Sequence, residues 1–419
     1  MQMIHTTPRR SKKRKPTAKQ RELSDSWEKL LKKYATKTVA KPKQQLSDVY
    51  SLGKPACRET PKIPSLPFTG EPCLKKANPV YTGTAIKGIG TMHNSNSVPV
   101  FSNEEAIAIA KTCEDAALKT DARITNSEGA SVSTGTGFFA YSNSHGFTGG
   151  YSSSRHGVSC SVIAESGGSM QRDYWYSTAR AAEDLQSAVD IGTAAGERTV
   201  RRLNAKKIKT CQVPVLFEAP LASGLISTLI SAISGGNLYR KSSFLLDSLG
   251  KQIASPLLNI YEDPFIKKGL ASSPFDNEGV ATKARQLVQD GVLQGYVLSS
   301  YSARKLGMKT TGNAGGNHNL MIRPGANDFA GLLKQMGTGL VVTELLGHGM
   351  NMVTGDYSRG AAGFWVENGM IVHPVEEITI ASNMVDMLKM ITAIGNDVLV
   401  QGSKQVGSIL IERMTVAAD

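Results

Sequence analysis

Histidine, serine and cysteine are the side chains that could make this chain a hydrolase, and their spacing argues against the usual arrangements. A zinc site built on one helix needs two histidines on the same face, with a glutamate beside them to take a proton from the metal-bound water. The seven histidines, His5, His93, His145, His156, His318, His348 and His373, are scattered; none is followed by Glu, and no two have i, i+4 or i, i+5 spacing. No serine sits in a G-x-S-x-G elbow, so a nucleophile of the α/β-hydrolase kind has no support. Gly88-Ile89-Gly90, Gly135-Thr136-Gly137 and Gly337-Thr338-Gly339 begin like a dinucleotide fingerprint but lack its third glycine, and read as turns.

Polar clusters offer binding chemistry instead. Asn313-Ala314-Gly315-Gly316-Asn317-His318-Asn319 concentrates amides and an imidazole in a glycine loop. Asn313, Asn317, His318 and Asn319 carry donors and acceptors suited to a peptide backbone. The same residues also suit a surface turn that uses Asn and Gly for left-handed backbone. In Gly355-Asp356-Tyr357-Ser358-Arg359-Gly360, pairing of Asp356 with Arg359 across a turn stands against contact with a peptide through Asp356, Tyr357 and Arg359. The basic run Arg9 to Lys15 reads either as a phosphate-binding segment or as a solvated tail, since no aromatic residue interleaves its charges.

These residues must be positioned by a chain of two characters. Residues 1 to 110 hold 20 Lys or Arg against 8 Asp or Glu, a net of +12, and 10 of the 17 prolines. The remaining 309 residues carry a net of only +1. The first segment therefore predicts a disordered, basic arm over 1–101, interrupted by an amphipathic helix on Leu23, Trp27, Leu30, Leu31 and Tyr34 with a Thr17–Gln20 capping box. Near Ser102 the pattern changes. Ser102 with Glu105 caps a helix whose stripe is Ala106, Ile107, Ala110, Cys113 and Ala117. Short strands over 137–142, 149–154 and 157–165 suggest an antiparallel meander, followed by a helix over about 177–203 broken near Gly192. Val213 to Phe217 reads as a buried strand, and Leu221, Leu225, Leu229 and Ile233 mark an apolar helix ending at Gly235 and Gly236. Beyond it strands are expected at 291–300, 339–346, 362–367, 370–372, 378–380 and 407–416. The class is α+β, with an α+β region over 102–210 and a strand-rich domain over 211–419. Five cysteines at irregular spacing, without a C-x-x-C pair, argue against a disulfide framework and against a structural zinc site. No apolar stretch is long enough for a membrane span, and none follows the basic start as a secretory signal requires, so a cytoplasmic chain is expected.

A set of longer runs resembles a known family. Arg123-Ile124-Thr125-Asn126-Ser127-Glu128-Gly129, Asn143-Ser144-His145-Gly146 and Arg172-Asp173-Tyr174 are similar to the TldE/PmbA branch of the TldD/TldE family. So are the run from Tyr239 to Lys251, the run Ser300 to Gly307, and the run from Thr354 through Asp356, Arg359 and Trp365 to Gly369. The resemblance covers about residues 103 to 419. It implies a two-subunit zinc protease in which a TldD-type subunit carries a His-Glu-x-x-x-His helix and the metal, while the TldE/PmbA subunit completes a chamber where unfolded peptides are cut. The helix corresponding to the zinc helix is Leu221 to Ser234, and the first His, the Glu and the second His fall at Thr228, Leu229 and Ile233. None of these can bind zinc, so no metal or other cofactor is expected in this chain and the zinc is expected in its partner. Residues 1 to about 100 do not resemble the family's N-terminal α/β domain. Tyr81 to Thr84, Gly88 to His93 and Val98 to Ser102 are weakly similar instead to short proteins of phage or metagenomic origin.

Three functional classes follow: a non-catalytic protease subunit whose partners are a TldD-type protein and an extended peptide, a metallopeptidase in its own right, and a nucleic-acid or phage-associated binder acting through residues 9–33.

Overall fold

The computed structural model describes residues 101–143 and 147–418. The readings made above for the first hundred residues lie outside this part, including the basic run, the Thr17–Gln20 cap and the helix on Leu23 to Tyr34; so does His145.

A capping box opens the described chain as the sequence predicts. The Ser102 hydroxyl accepts from the Glu105 amide at 3.1 Å, and the Glu105 carboxylate accepts from the Ser102 amide at 2.8 Å. Together they satisfy two amides that the first helical turn leaves without partners. The helix, α1 (Asn103–Thr120), buries Cys113 and Ala117, whereas Ile107, expected in its buried stripe, is 56% exposed. Three long strands follow, β1 (Ile124–Ser142), β2 (Thr148–Ser166) and β3 (Ser169–Ala179), in an antiparallel meander. The expected break between residues 154 and 157 does not occur. His156 and Gly157 stay in the ladder opposite Thr134 and Ser133, and the Thr134 hydroxyl meets His156 Nδ1 at 2.8 Å. From Ser154 to Ala164 every second side chain of β2 is buried, the period of a strand with one covered face.

That face is covered by α1 and by α2 (Ala188–Val200), capped by Ser187, whose hydroxyl accepts from the Asp190 amide. The helix is shorter than expected because Ser177 to Ala179 finish β3. It is also unbroken at Gly192. A Cβ there would lie 2.0 Å from the Cys113 carbonyl oxygen, so the glycine is a point of close helix contact and not an interruption.

The rest of the chain forms two sheets with helices between and around them. Its elements are β4 (Cys211–Phe217), α3 (Ala219–Ala232), α4 (Gly235–Tyr239), β5 (Ile260–Asp263), β6 (Arg285–Gln289), β7 (Val292–Leu293), α5 (Ser300–Lys305), β8 (Asn319–Ile322) and α6 (Phe329–Met336). They continue with β9 (Gly339–Leu346), β10 (Asp356–Glu367), β11 (Met370–Asn383), α7 (Met384–Lys389), β12 (Ile391–Ile394), β13 (Leu399–Val400), β14 (Lys404–Val406) and β15 (Ile409–Ala418). The larger sheet runs β11-β10-β9-β4-β15-β12, and β11 also pairs with β15. The second runs β13-β14-β8-β5-β6-β7.

Both faces of the larger sheet are covered, which explains its near-continuous apolar strands. In β4, Val215 and Phe217 join the core shared with α3, while Leu216 joins the core under α6; Leu340, Val342 and Val341 of β9 divide the same way. Two further expectations change. Residues 291–300 pair as a strand only at Val292–Leu293, because Ser299 and Ser302 form a capping box that starts α5. The two short strands expected at 370–372 and 378–380 are parts of one strand, β11, with an irregular step between Val375 and Ile378 that takes Glu377 to φ 53°.

Replacing Gly192 with Ala should lower the unfolding free energy by about 2 kcal/mol through overpacking against α1. Gly224→Ala, on the open side of α3 where a Cβ meets nothing within 4 Å, should raise it by about 0.5–1 kcal/mol. Urea denaturation of the two variants checks both signs.

Candidate functional site

The apolar helix expected from Leu221 onward is α3, and its two sides have opposite chemistry. Ala222, Leu225, Ile226, Leu229 and Ile230 are buried, as is Ile233 at the helix end. On the other side Ser223, Ser227, Thr228 and Ser231 turn their hydroxyls back along the helix. Ser227 donates to the Ser223 carbonyl at 2.7 Å, Thr228 to Gly224 at 3.1 Å and Ser231 to Ser227 at 2.9 Å. Of the three positions matched to a zinc motif, Leu229 and Ile233 are fully buried hydrocarbons and Thr228 offers one hydroxyl already in use. This donor set does not fit a zinc ion, which takes imidazole, thiolate or carboxylate. Among the described residues no three His, Cys, Asp or Glu side chains are grouped to hold a metal.

The start of α3 is fixed by charge. Glu218, its N-cap residue, receives Arg198 and Arg201 of the α2 end at 3.0 Å each. Asp173 of β3 lies 3.5 Å from Arg198 and 3.6 Å from Arg202, and Arg202 also pairs with Glu344 of β9. Burial opposes the Arg198 charge, but Glu218 and Asp173 outweigh it and hold its pKa above the ordinary value. The meander is thus tied to the larger sheet at the helix whose outer face carries the hydroxyls. The residues that make this tie were not picked out from the sequence. The i, i+3, i+4 spacing of Arg198, Arg201 and Arg202 was the available signal, but their acceptors lie far away in the chain.

The glycine–asparagine loop is organised around a carboxylate that the sequence reading missed. Glu262 of β5 is fully buried. Its Oε1 accepts from Asn313 Nδ2 and from the His318 amide at 2.8 Å each, with His318 Nδ1 at 3.1 Å. Its Oε2 accepts from Arg285 Nε at 2.8 Å, and Arg285 also donates to Asn313 Oδ1. Burial alone would raise the Glu262 pKa. The hydrogen bonds from His318 and the Arg285 charge reverse this and bring it from 4.5 down to about 2. Asp276 secures the other flank by accepting the Ala314 amide at 2.9 Å. Asn319 is also turned inward, accepting from the Ala271 amide and donating to Asp263 and Ser272. Asn317 donates to the carbonyl of His318 at 2.6 Å. The side chains of Asn313, His318 and Asn319 therefore serve the loop itself, and what the loop presents outward is the backbone at Gly315 and Gly316. One sign of Glu262 was present in the sequence, since Ile260 and Glu262 alternate onto the same face of β5.

Asp356, Tyr357 and Arg359 occupy the first residues of β10 and not a turn. Asp356 and Arg359 form no ion pair among the described residues, because side chains three apart in a strand face opposite ways. Asp356 accepts from Thr354 and Asn383, and Arg359 donates to the Gly347 carbonyl at 2.7 Å. Burial pushes the Tyr357 hydroxyl up to about 12, against a smaller opposing effect of Arg359. With His348, Asn351, Ser358 and Ser382, Asp356 and Tyr357 line an open cleft of about 530 Å³.

Comparison with known proteins bears on this geometry. Residues 97–203 match the model of the PmbA/TldA metallopeptidase central domain, and residues 210–418 match that of the PmbA/TldA metallopeptidase C-terminal domain. The chain is 52% identical over 316 residues to Metalloprotease PmbA of Escherichia coli, covering 75% of this chain and 70% of the relative. A solved structure from Bacteroides thetaiotaomicron is 32% identical, with a TM-score of 0.72, covering 76% of this chain and 72% of that one. TldE of Thermococcus kodakarensis, at 22% identity, shares the fold, with a TM-score of 0.67 over 77% of this chain and 79% of its own. The metallopeptidase name implies metal use in the family, whereas α3 of this chain carries no ligand set for one. No helix among the described residues is long and apolar enough to cross a membrane.

Glu262→Gln should cost roughly 3 kcal/mol, because it leaves the Arg285 charge buried without its counter-charge. The Glu262 carboxyl is depressed in the folded protein, so its stabilising contribution is complete above pH 4.5 and fades as the pH falls toward about 2. Denaturant midpoints of wild type and variant, measured from pH 7 downward, should converge at the acid end.

Proposed function

Because the chain belongs to the PmbA/TldA metallopeptidase family, in its PmbA branch, we propose that it is the non-catalytic subunit of a two-subunit zinc peptidase and works in the cytoplasm with a TldD-type partner. The observation that carries this reading is the packing of α3. A catalytic helix must aim its ligands at a solvent-reached metal, yet Leu229 and Ile233 are part of the core that joins the helix to the larger sheet. The zinc, and the water it activates, would be supplied by the partner.

What this chain contributes is shape and hydrogen bonding. The hydroxyl face of α3, the backbone at Gly315 and Gly316, and the cleft formed by Asp356 and Tyr357 are the surfaces we assign to an extended peptide. Arg359 supports that cleft by holding Gly347. Asn313, Asn317, His318 and Asn319 would act by holding the loop in shape, so that the backbone, which is indifferent to peptide sequence, makes the contacts. Assembly has its own support. At the β10–β11 hairpin Met370, Ile371 and Val372 are 67%, 45% and 51% exposed, three consecutive apolar residues that gain by being covered.

Co-expression with a tagged TldD-type protein tests the proposal. A complex stable at micromolar concentration is expected, with peptide cleavage that needs both chains, and Ile371→Asp should weaken it about tenfold or more. If no complex forms while a full-length member of the PmbA branch does associate with the same partner, the assembly role is wrong for this chain.

A further inference from the structure

Lys404 is a partly buried cation with no counter-charge among the described residues. It opens β14, just after the turn made by Gln401, Gly402 and Ser403. Its side chain is partly buried, and it joins no ion pair or side-chain hydrogen bond among the described residues. Burial lowers its pKa, and no carboxylate among the described residues offsets that effect. A partly desolvated ammonium without a partner favours an anion that reaches it.

There is room for one. Lys404 lines a cleft of about 120 Å³ with Tyr176 of β3, Pro220 and Ser223 of α3, and Gln401 and Gly402 of the turn. The Gln401 side-chain amide donates to the Tyr176 carbonyl at 2.8 Å and so fixes the turn against the meander. The Ser403 carbonyl accepts from Leu320 of β8 and fixes it against the second sheet. The amides of Gly402 and Ser403 have no acceptor among the described residues. The amide at the head of α3 is already used, since Ala219 donates to the Ser408 hydroxyl at 3.0 Å, so the helix end itself is not what would take the ligand.

We propose that this cleft is a carboxylate-binding site, in which Lys404 and the Gln401–Ser403 turn take the terminal carboxylate of a peptide. The cleft is open to solvent and has room for a carboxylate. Ser223, which lines the cleft, is also the first member of the hydroxyl face of α3. From Ser223 to Thr228 the helix advances about 7.5 Å, the reach of two to three extended residues. A peptide held by its end at Lys404 would therefore lay its last residues along that face. The carboxylate site stands on this chain alone, while its use as a peptide anchor rests on the peptide-holding role proposed above.

The test is calorimetric titration of the full chain, without a partner, using three acetylated tetrapeptides. One ends in a free carboxylate after alanine, the second is its C-terminal amide, and the third is an amide with one internal aspartate. The free-carboxylate peptide is expected to bind, with Lys404→Met weakening it at least about tenfold and Lys404→Arg staying within about threefold of wild type. Binding of the aspartyl amide alone would move the ligand from the chain end to an acidic side chain and overturn the terminal-anchor assignment. Equal binding of the plain amide, wild-type binding by Lys404→Met, or no binding of any peptide at about 10 mM would overturn the site itself. Lys404→Met should melt no lower than wild type in the absence of peptide, since it removes an unpaired charge. A lower melting temperature would mean that Lys404 has a structural partner and would also contradict the site. Because no partner is present, these outcomes are independent of whether the two-subunit complex forms.

Discussion

The burial of one side of α3 constrains the rest of this molecule. Leu225, Ile226, Leu229 and Ile230 contribute about 1.5–3 kcal/mol each by leaving water, and they do so against Val215, Phe217, Leu340 and Val342 of the larger sheet. A helix committed in this way has no buried position to give to a charged ligand, because an unpaired imidazole or carboxylate at residue 229 or 233 would meet only hydrocarbon. The outward side is then limited to small hydroxyls that satisfy themselves on the preceding turn. The same packing that holds the fold together leaves α3 an outer face of small hydroxyls and no ligand set for a metal.

Two ionic clusters keep that helix in place, and they act at different joints. At its start, Glu218 collects Arg198 and Arg201, so the meander region cannot shift without separating charges that are 13–14% exposed at the Arg198 pair. In the second sheet, Glu262 draws Arg285, Asn313 and His318 together and turns a glycine-rich loop into a fixed feature. Breaking either cluster leaves a buried charge alone, which costs more than the intact cluster contributes over a neutral core. An aromatic group adds a third joint, with Phe147 of the meander 5.2 Å from Phe275 of the loop that carries Asp276. Gln401 supplies a fourth, and beside it Lys404 stands without a counter-charge among the described residues.

What was legible in the sequence was what is local. The Ser102–Glu105 cap depends on residues three apart, and α3 on an apolar repeat, so both were readable to within a few positions. The α+β class and the likeness to the PmbA branch were also legible, the latter because long runs such as Tyr239 to Lys251 are specific. Strand lengths were not. Arg155 and His156 fell between two expected strands, yet their partners Gly135 and Thr134 keep them in the ladder. The pairing of Asp356 with Arg359 assumed a turn where the chain is extended. Whether the loop amides face a ligand or serve a turn was left open because the acceptors of Asn313 and Asn319, Glu262 and Asp263, lie about fifty residues away in the chain. Long-range pairing decides which polar groups are left over, and periodicity does not carry that information.

In the proposed role this chain shapes a peptide site and the metal lies in another subunit. Elemental analysis of the purified chain, after incubation with zinc and exhaustive dialysis, tests that claim most directly. The account predicts well under about 0.1 zinc per chain, with no peptide cleavage by the chain alone. About one tightly held zinc per chain, removed by a chelator together with peptidase activity, would contradict it and would mean that histidines distant in the sequence converge on a metal.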